Sequence, residues 1–216
     1  MEEVRYPYHS TPAATLLDAL DAAKWSARKI LRIPGREARI PDIFKRRVIA
    51  SYAQRYRLHT FVESGTYLGR TVAFMRKYCR QLYSVEFQDH LAQAAQERFA
   101  GDPAIRIFHG SGATWMPRIV AELRESALFW LDGHFASGTT REGEVACPTL
   151  QEISAALADS RFDHVILIDD AREFRGTAGY PTLAAMEQFI RSARPDVAVE
   201  VRDDIVRVVP ARLGSV

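Results

Sequence analysis

Long apolar runs are missing from this 216-residue sequence. No stretch approaches the ~18 apolar residues that a membrane-crossing helix needs, so no membrane partner is expected. Cysteine is scarce. Cys79 and Cys147 alone cannot make a disulfide framework, which points to a reducing, cytoplasmic setting. Met1 is followed by Glu2 and Glu3 with no apolar core behind them, so no secretory leader is expected. A surplus of one charge is missing too. Lys and Arg number 29 against 27 Asp and Glu, too even a balance for a nucleic-acid surface. Only four residues are lysine: Lys24, Lys29, Lys45 and Lys77. The richest basic stretch, 24–47, reads as the solvated face of two helices. Repeats and low-complexity tracts are absent.

What is present is the balance of a globular chain, 47% hydrophobic and 26% charged. A domain of this size folds without staples. Residues 1–58 read as an N-terminal helical extension. Leu16, Leu17, Leu20, Ala23, Ala27, Ile30 and Leu31 recur at spacings of three and four, and Pro34-Gly35 ends that helix. Its apolar stripe is free to cover the chain's own sheet or to form a homodimer. A second helix starts after Pro41-Asp42 and runs to about 57, with Ile43, Phe44, Val48, Ile49 and Tyr52 as its apolar positions.

From 59 to 216 the texture changes. Short apolar runs at 60–62, 82–85, 105–108, 128–131 and 165–168 alternate with helical stretches at 70–79, 89–100, 116–124 and 149–157. This pattern predicts βαβ units, and runs without polar alternation predict strands covered on both faces. The polar residues closing the first four runs, Glu63, Glu86, His109 and Asp132, stand at equal 23-residue steps, while Asp169 follows 37 later. The extra length is a polar, Gly-rich loop at 133–148, long enough to be functional. A helix at 180–192 and two strands, 197–201 and 205–209, joined by Asp203-Asp204 complete the chain. The expected fold is α/β and Rossmann-like. Its doubly wound, mostly parallel, seven-stranded sheet ends in an antiparallel hairpin at one edge.

The first strand leads into Glu63-Ser64-Gly65-Thr66-Tyr67-Leu68-Gly69. This is not G-x-G-x-x-G, so a nicotinamide dinucleotide is disfavoured. A carboxylate at the strand tip repels a pyrophosphate and attracts an ammonium. Backbone N–H groups at the next helix start donate to a carboxylate. S-adenosylmethionine carries both groups. Glu86 closes the second strand, where an acid typically accepts hydrogen bonds from ribose hydroxyls.

Asp132, Asp169 and Asp170 close the fourth and fifth strands. With those strands adjacent, the three carboxylates emerge at one edge of the crevice. Asp169 and Asp170 converge only where the chain bends out of the strand. Such a cluster repels itself unless protons or a cation neutralise it, and oxygen ligands suit Mg²⁺. His134, two residues after Asp132, is open to two roles, general base or substrate contact. His109 reads as a pocket wall. His9, His59, His90 and His164 read as surface or boundary residues, and neither cysteine reads as a nucleophile.

On FVESGTYLG, LYSVE, LFWLDGH and VILIDD, in that order, residues 42–209 resemble the class I S-adenosylmethionine-dependent methyltransferases. The resemblance implies that Glu63, Gly65 and Gly69, with Thr66 and Tyr67 in the same loop, hold the methionine part. It further implies that Glu86 holds the ribose, and that the turn with His109 and Ser111 lies near adenine. The sequence departs from the commonest first motif, with Tyr67 in place of its middle glycine, and has Ser111 where many relatives carry an acid. The acids of the fourth and fifth strands resemble those of catechol and macrolide-sugar O-methyltransferases. That likeness implies Asp132, Asp169 and Asp170 as Mg²⁺ ligands. The expected activity is therefore metal-assisted O-methylation of a small hydroxyl-bearing substrate, with Asp132 and His134 as catalytic residues. Arg141, Arg172 and Arg175 are candidates for substrate contact. The alternatives are a metal-independent methyltransferase with His134 or Asp132 as base, and a non-catalytic nucleoside-binding protein on the same fold.

Overall fold

The computed structural model describes residues 41–132, 149–177 and 179–214, together with Leu20 and Ala23. The expected first helix, the loop 133–148 with His134 and Arg141, His9 and Cys147 lie outside the described residues. Helix α1 (Asp42–Arg55) leads into β1 (Thr60–Ser64), α2 (Arg70–Met75), β2 (Gln81–Glu86), α3 (Asp89–Phe99) and β3 (Ile105–His109). Then come α4 (Gly112–Glu122), β4 (Ala127–Leu131), α5 (Thr149–Ala158), β5 (Val165–Ile168), α6 (Leu183–Ala193), β6 (Val197–Arg202) and β7 (Ile205–Pro210). The sheet order is β3-β2-β1-β4-β5-β7-β6. β1 to β5 pair in parallel, and β7 runs antiparallel to both β5 and β6. No helix among the described residues is long and apolar enough to cross a membrane.

The continuous apolar runs have the expected cause. Within β1, Phe61 packs with Ile49, Val72 and Phe99 of α1, α2 and α3, while Val62 packs with Met116, Ile153 and Ile190 of α4, α5 and α6. β5 repeats the parity: Val165 and Leu167 face the first helical layer, Ile166 and Ile168 the second. Alternate residues are buried in two separate cores, so no position is left for water.

Three helix ends differ from the sequence reading, two of them through a local cap. α4 begins at Gly112 rather than near 116, because Ser111 caps it, its Oγ accepting the N–H of Ala113 at 3.2 Å. α6 begins at Leu183 rather than 180, capped by Thr182. α2 stops at Met75, and the residues to Cys79 continue as turns.

His164 is buried, not a surface residue. Its Nδ1 accepts the N–H of Ala127 at 3.1 Å, so Nε2 carries the proton toward Asp159 Oδ2, also at 3.1 Å. Burial, the largest influence, lowers its pKa and keeps the ring neutral, and its edge rests on Phe129. It pins the starts of β4 and β5, at the sheet edge opposite the strand tips. His164→Ala should cost about 2–4 kcal/mol in urea unfolding, through a cavity and two orphaned polar groups. A loss below about 0.5 kcal/mol would refute the pin.

Candidate active site

The sheet order reverses between β1 and β4, the switch point where open α/β sheets bind ligands. Acids stand in a row at that edge. In the parallel ladder the N–H of Asp132 donates to Ser64 O and that of Asp169 to Leu131 O, each at 3.0 Å. Parity turns Glu63, Asp132 and Asp169 to the face covered by α1. Asp170 has φ +51°, so the chain leaves the strand there and both β5 acids reach the same space. One oxygen each from Asp132, Asp169 and Asp170 lies within 4.8 Å of the others.

The cluster contains a cation of the protein's own. Lys45, on the first turn of α1, is 3% exposed, and its Nζ lies 2.5 and 2.7 Å from the two oxygens of Asp169 and 2.9 Å from Asp170 Oδ1. Arg46, also buried, favours the ionised form of Glu63. At Lys45 and Arg46 this corrects the reading of 24–47 as a solvated face, of which only 41–47 are described. Along α1 the buried stripe is Lys45, Arg46, Ile49, Ala50, Tyr52 and Ala53. It is charged where the helix overlies the acids and apolar below. The signal was a basic pair in register with the apolar positions. The partners of Lys45 are more than a hundred residues away, which hid it. Arg172 bridges Asp170 Oδ1 at 2.9 Å and Asp204 in the hairpin turn.

Electrostatics follow from burial. Asp132 is pushed well above its ordinary pKa, by burial first and then by Asp169. Asp169 rises to about 6, burial outweighing the attraction of Lys45. Burial alone would lower the pKa of Lys45, and the two aspartates reverse that into a net rise.

The glycine loop is organised from beneath. Thr66 is buried, its hydroxyl 2.6 Å from that of Ser84, and Ser84 donates to Glu63 Oε2 at 2.6 Å. The Thr66 side chain therefore supports Glu63 rather than lining the crevice. Glu86 accepts the N–H of Tyr67 at 2.7 Å and of Gln88 at 2.9 Å. Tyr67 has φ +48° and is 65% exposed at the crest. It keeps a left-handed backbone, a conformation costing a side chain roughly 1–2 kcal/mol. At Gly69, φ +66°, a Cβ would meet the Phe99 ring at 2.7 Å, so only glycine lets α2 start there. His109 ends β3 exposed, 3.6 Å from Asp89, and its carbonyl accepts the indole N–H of Trp115. Cys79 is buried and its thiol is pushed up to about 12, which suits an inert core residue.

Sequence reasoning also missed Glu152. It is buried on α5 and accepts the Ser64 hydroxyl at 2.8 Å. A Cβ on Gly112 would fall 1.8 Å from its Oε1, so glycine there makes its room. Burial raises Glu152 to about 7 and Glu63 to about 8. The folded chain thus holds protons that the unfolded chain releases near pH 4.5. This contribution to stability is complete below that pH and is lost as pH rises through the folded values. Glu152→Gln should lose less stability than wild type between pH 5 and 8, at up to about 1.4 kcal/mol per pH unit. Parallel urea-unfolding profiles would sink the assignment.

No family model matches the chain, and no curated protein sequence matches it. Solved structures do. The O-methyltransferase from Bacillus cereus in complex with SAH superposes with a TM-score of 0.57 at 15% identity, over 88% of this chain and 90% of that one. TomG from Streptomyces achromogenes, an O-methyltransferase involved in tomaymycin synthesis and bound to SAM, gives 0.55 at 15%, over 90% and 89%. MycE, a methyltransferase of the mycinamycin pathway in complex with Mg, SAH and mycinamycin VI, gives 0.56 at 12%, over 97% of this chain and 66% of that one. The likeness establishes the fold, one shared with these three methyltransferases.

Proposed function

We propose that this chain is an S-adenosylmethionine-dependent methyltransferase acting on the oxygen of a small hydroxyl-bearing substrate, a sugar, polyol or phenol, in the cytoplasm. The observation that carries the reading is the convergence of Asp132, Asp169 and Asp170 beside the Glu63 and Glu86 strand tips, on this fold. Glu63, Gly65, Tyr67 and Gly69 hold the methionine part, with Thr66 bracing Glu63. Glu86 holds the ribose, and His109 and Ser111 border the adenine. Positioning the sulfonium methyl in line with the acceptor oxygen supplies much of the rate.

The donor set fits a divalent ion: three carboxylates close enough to share one, with room in an octahedron for substrate oxygens. Asp132, Asp169 and Asp170 would hold it. A divalent ion there lowers the pKa of a substrate hydroxyl. The magnesium named with MycE, on a similar fold, supports the same assignment.

A second reading dispenses with metal, and the Lys45 ammonium favours it, since together with Arg172 it already balances the charge of the β5 pair. Asp132, its pKa raised by burial, would then take the substrate proton, or His134 would. Calorimetric titration with S-adenosylmethionine and S-adenosylhomocysteine, with and without Mg²⁺, tests the function. Both should bind. NADH binding in preference to either would overturn the cofactor.

A further inference from the structure

Outside the strand tips, the described residues offer an apolar groove among α4, α5 and α6 and the buried His164–Asp159 pair. Nothing marks an occupant for the first, and the second is a structural pin. The feature that reaches furthest is Lys45.

A buried lysine needs a reason. Its head is taken from water and set against two carboxylates, which is tolerated only with close geometry. Lys45 meets that condition by straddling both oxygens of Asp169 while touching Asp170. Its helix is held in place because Ile49, Ala50, Tyr52 and Ala53 continue the same buried stripe into the core. The ammonium therefore engages two of the three carboxylates that would ligate a metal. A hard ion approaches oxygen to about 2.0–2.1 Å in Mg²⁺ sites, closer than the ammonium does. It cannot enter among these oxygens with Nζ in place, and the two positive charges repel in a dry setting. Lysine carries a compact charge on a flexible four-carbon stem, so its head can swing away while α1 stays packed.

We infer that Lys45 is the resident cation of the carboxylate set, and that a divalent ion binds only by displacing its ammonium. Lys45 thereby sets the metal affinity of the site. It also keeps Asp169 and Asp170 together before a metal arrives, and ties the first turn of α1 to the metal state. This inference rests on the metal reading of the three aspartates.

The test is Mn²⁺ binding to the full chain, wild type against Lys45→Met, by titration calorimetry. The variant keeps the stem length and removes the charge. It should bind Mn²⁺ at least tenfold more tightly. Wild type binding Mn²⁺ as tightly as the variant, or more so, overturns the displacement and leaves the metal reading standing. No uptake by either protein overturns the metal reading and the displacement with it. Should the variant fail to fold, the wild type decides. With ¹³C-labelled lysine, only four signals need be followed. Mg²⁺ should shift Lys45 and leave Lys24, Lys29 and Lys77 in place. A Lys45 signal unmoved at calorimetric saturation overturns the inference.

Discussion

Asp169→Asn should lower turnover by roughly 10²–10³-fold, the loss typical when one preorganised group that stabilises developing charge is removed. Its affinity for S-adenosylmethionine should stay within about twofold of wild type, because the contacts proposed for the cofactor lie mainly at the β1 and β2 tips. Asp169 is the centre of the cluster: register partner to Asp132 across the ladder, neighbour to Asp170, and the residue whose two oxygens Lys45 straddles. On charge repulsion alone, removing one of three acids would stabilise the chain. The structure reverses that sign, since the substitution takes the nearest counter-charge from a buried ammonium. The expected cost is on the order of 3 kcal/mol, the low end for breaking a buried pair, because Asp170 still holds Lys45. Turnover of the folded variant, followed by product formation, gives the first number and urea unfolding the second. EDTA separates the two mechanisms: it should silence the wild type if metal assists and leave it untouched if Lys45 alone supplies the charge. A variant with full turnover would remove the carboxylate cluster from the chemistry.

Glu86→Ala should weaken S-adenosylmethionine and its demethylated product in parallel, by roughly 1–3 kcal/mol, or about five- to 150-fold. Each Glu86 oxygen accepts one backbone N–H, from Tyr67 and from Gln88, and each keeps a second lone pair for a ribose hydroxyl. The bond to Tyr67 also holds in place the loop's one non-glycine residue with a positive φ. Two losses therefore combine, a ligand contact and the shape of the loop. A 2′-deoxy analogue tells them apart. Wild type should bind it more weakly than the parent, and Glu86→Ala should bind the two alike. If wild type does not discriminate, the ribose assignment falls and Glu86 is a loop brace.

Much of this was legible before folding. The equal steps between Glu63, Glu86, His109 and Asp132 marked strand tips, since compact βα units of similar length bring such residues to one edge. The bend that Asp169 and Asp170 required is present as the positive φ of Asp170. Asp203-Asp204 make the hairpin turn, both with positive φ. The misses share a cause. Lys45 and Arg46 share their helix with Asp42 at helical spacing, and nothing local pointed Lys45 to the β5 carboxylates. His164 has no local sign that Ala127 and Asp159 flank it. Glu152 looked like one more helix carboxylate, and only Gly112 lying against it reveals a buried one.

The sequence by itself determined the order of elements, the strand tips and which acids stand at them, because hydrophobic period and punctuation are local properties. Only the tertiary structure decided what neutralises those acids. A charge's partner is chosen by distance in space, and α1 reaches the β5 tip across more than a hundred residues of chain.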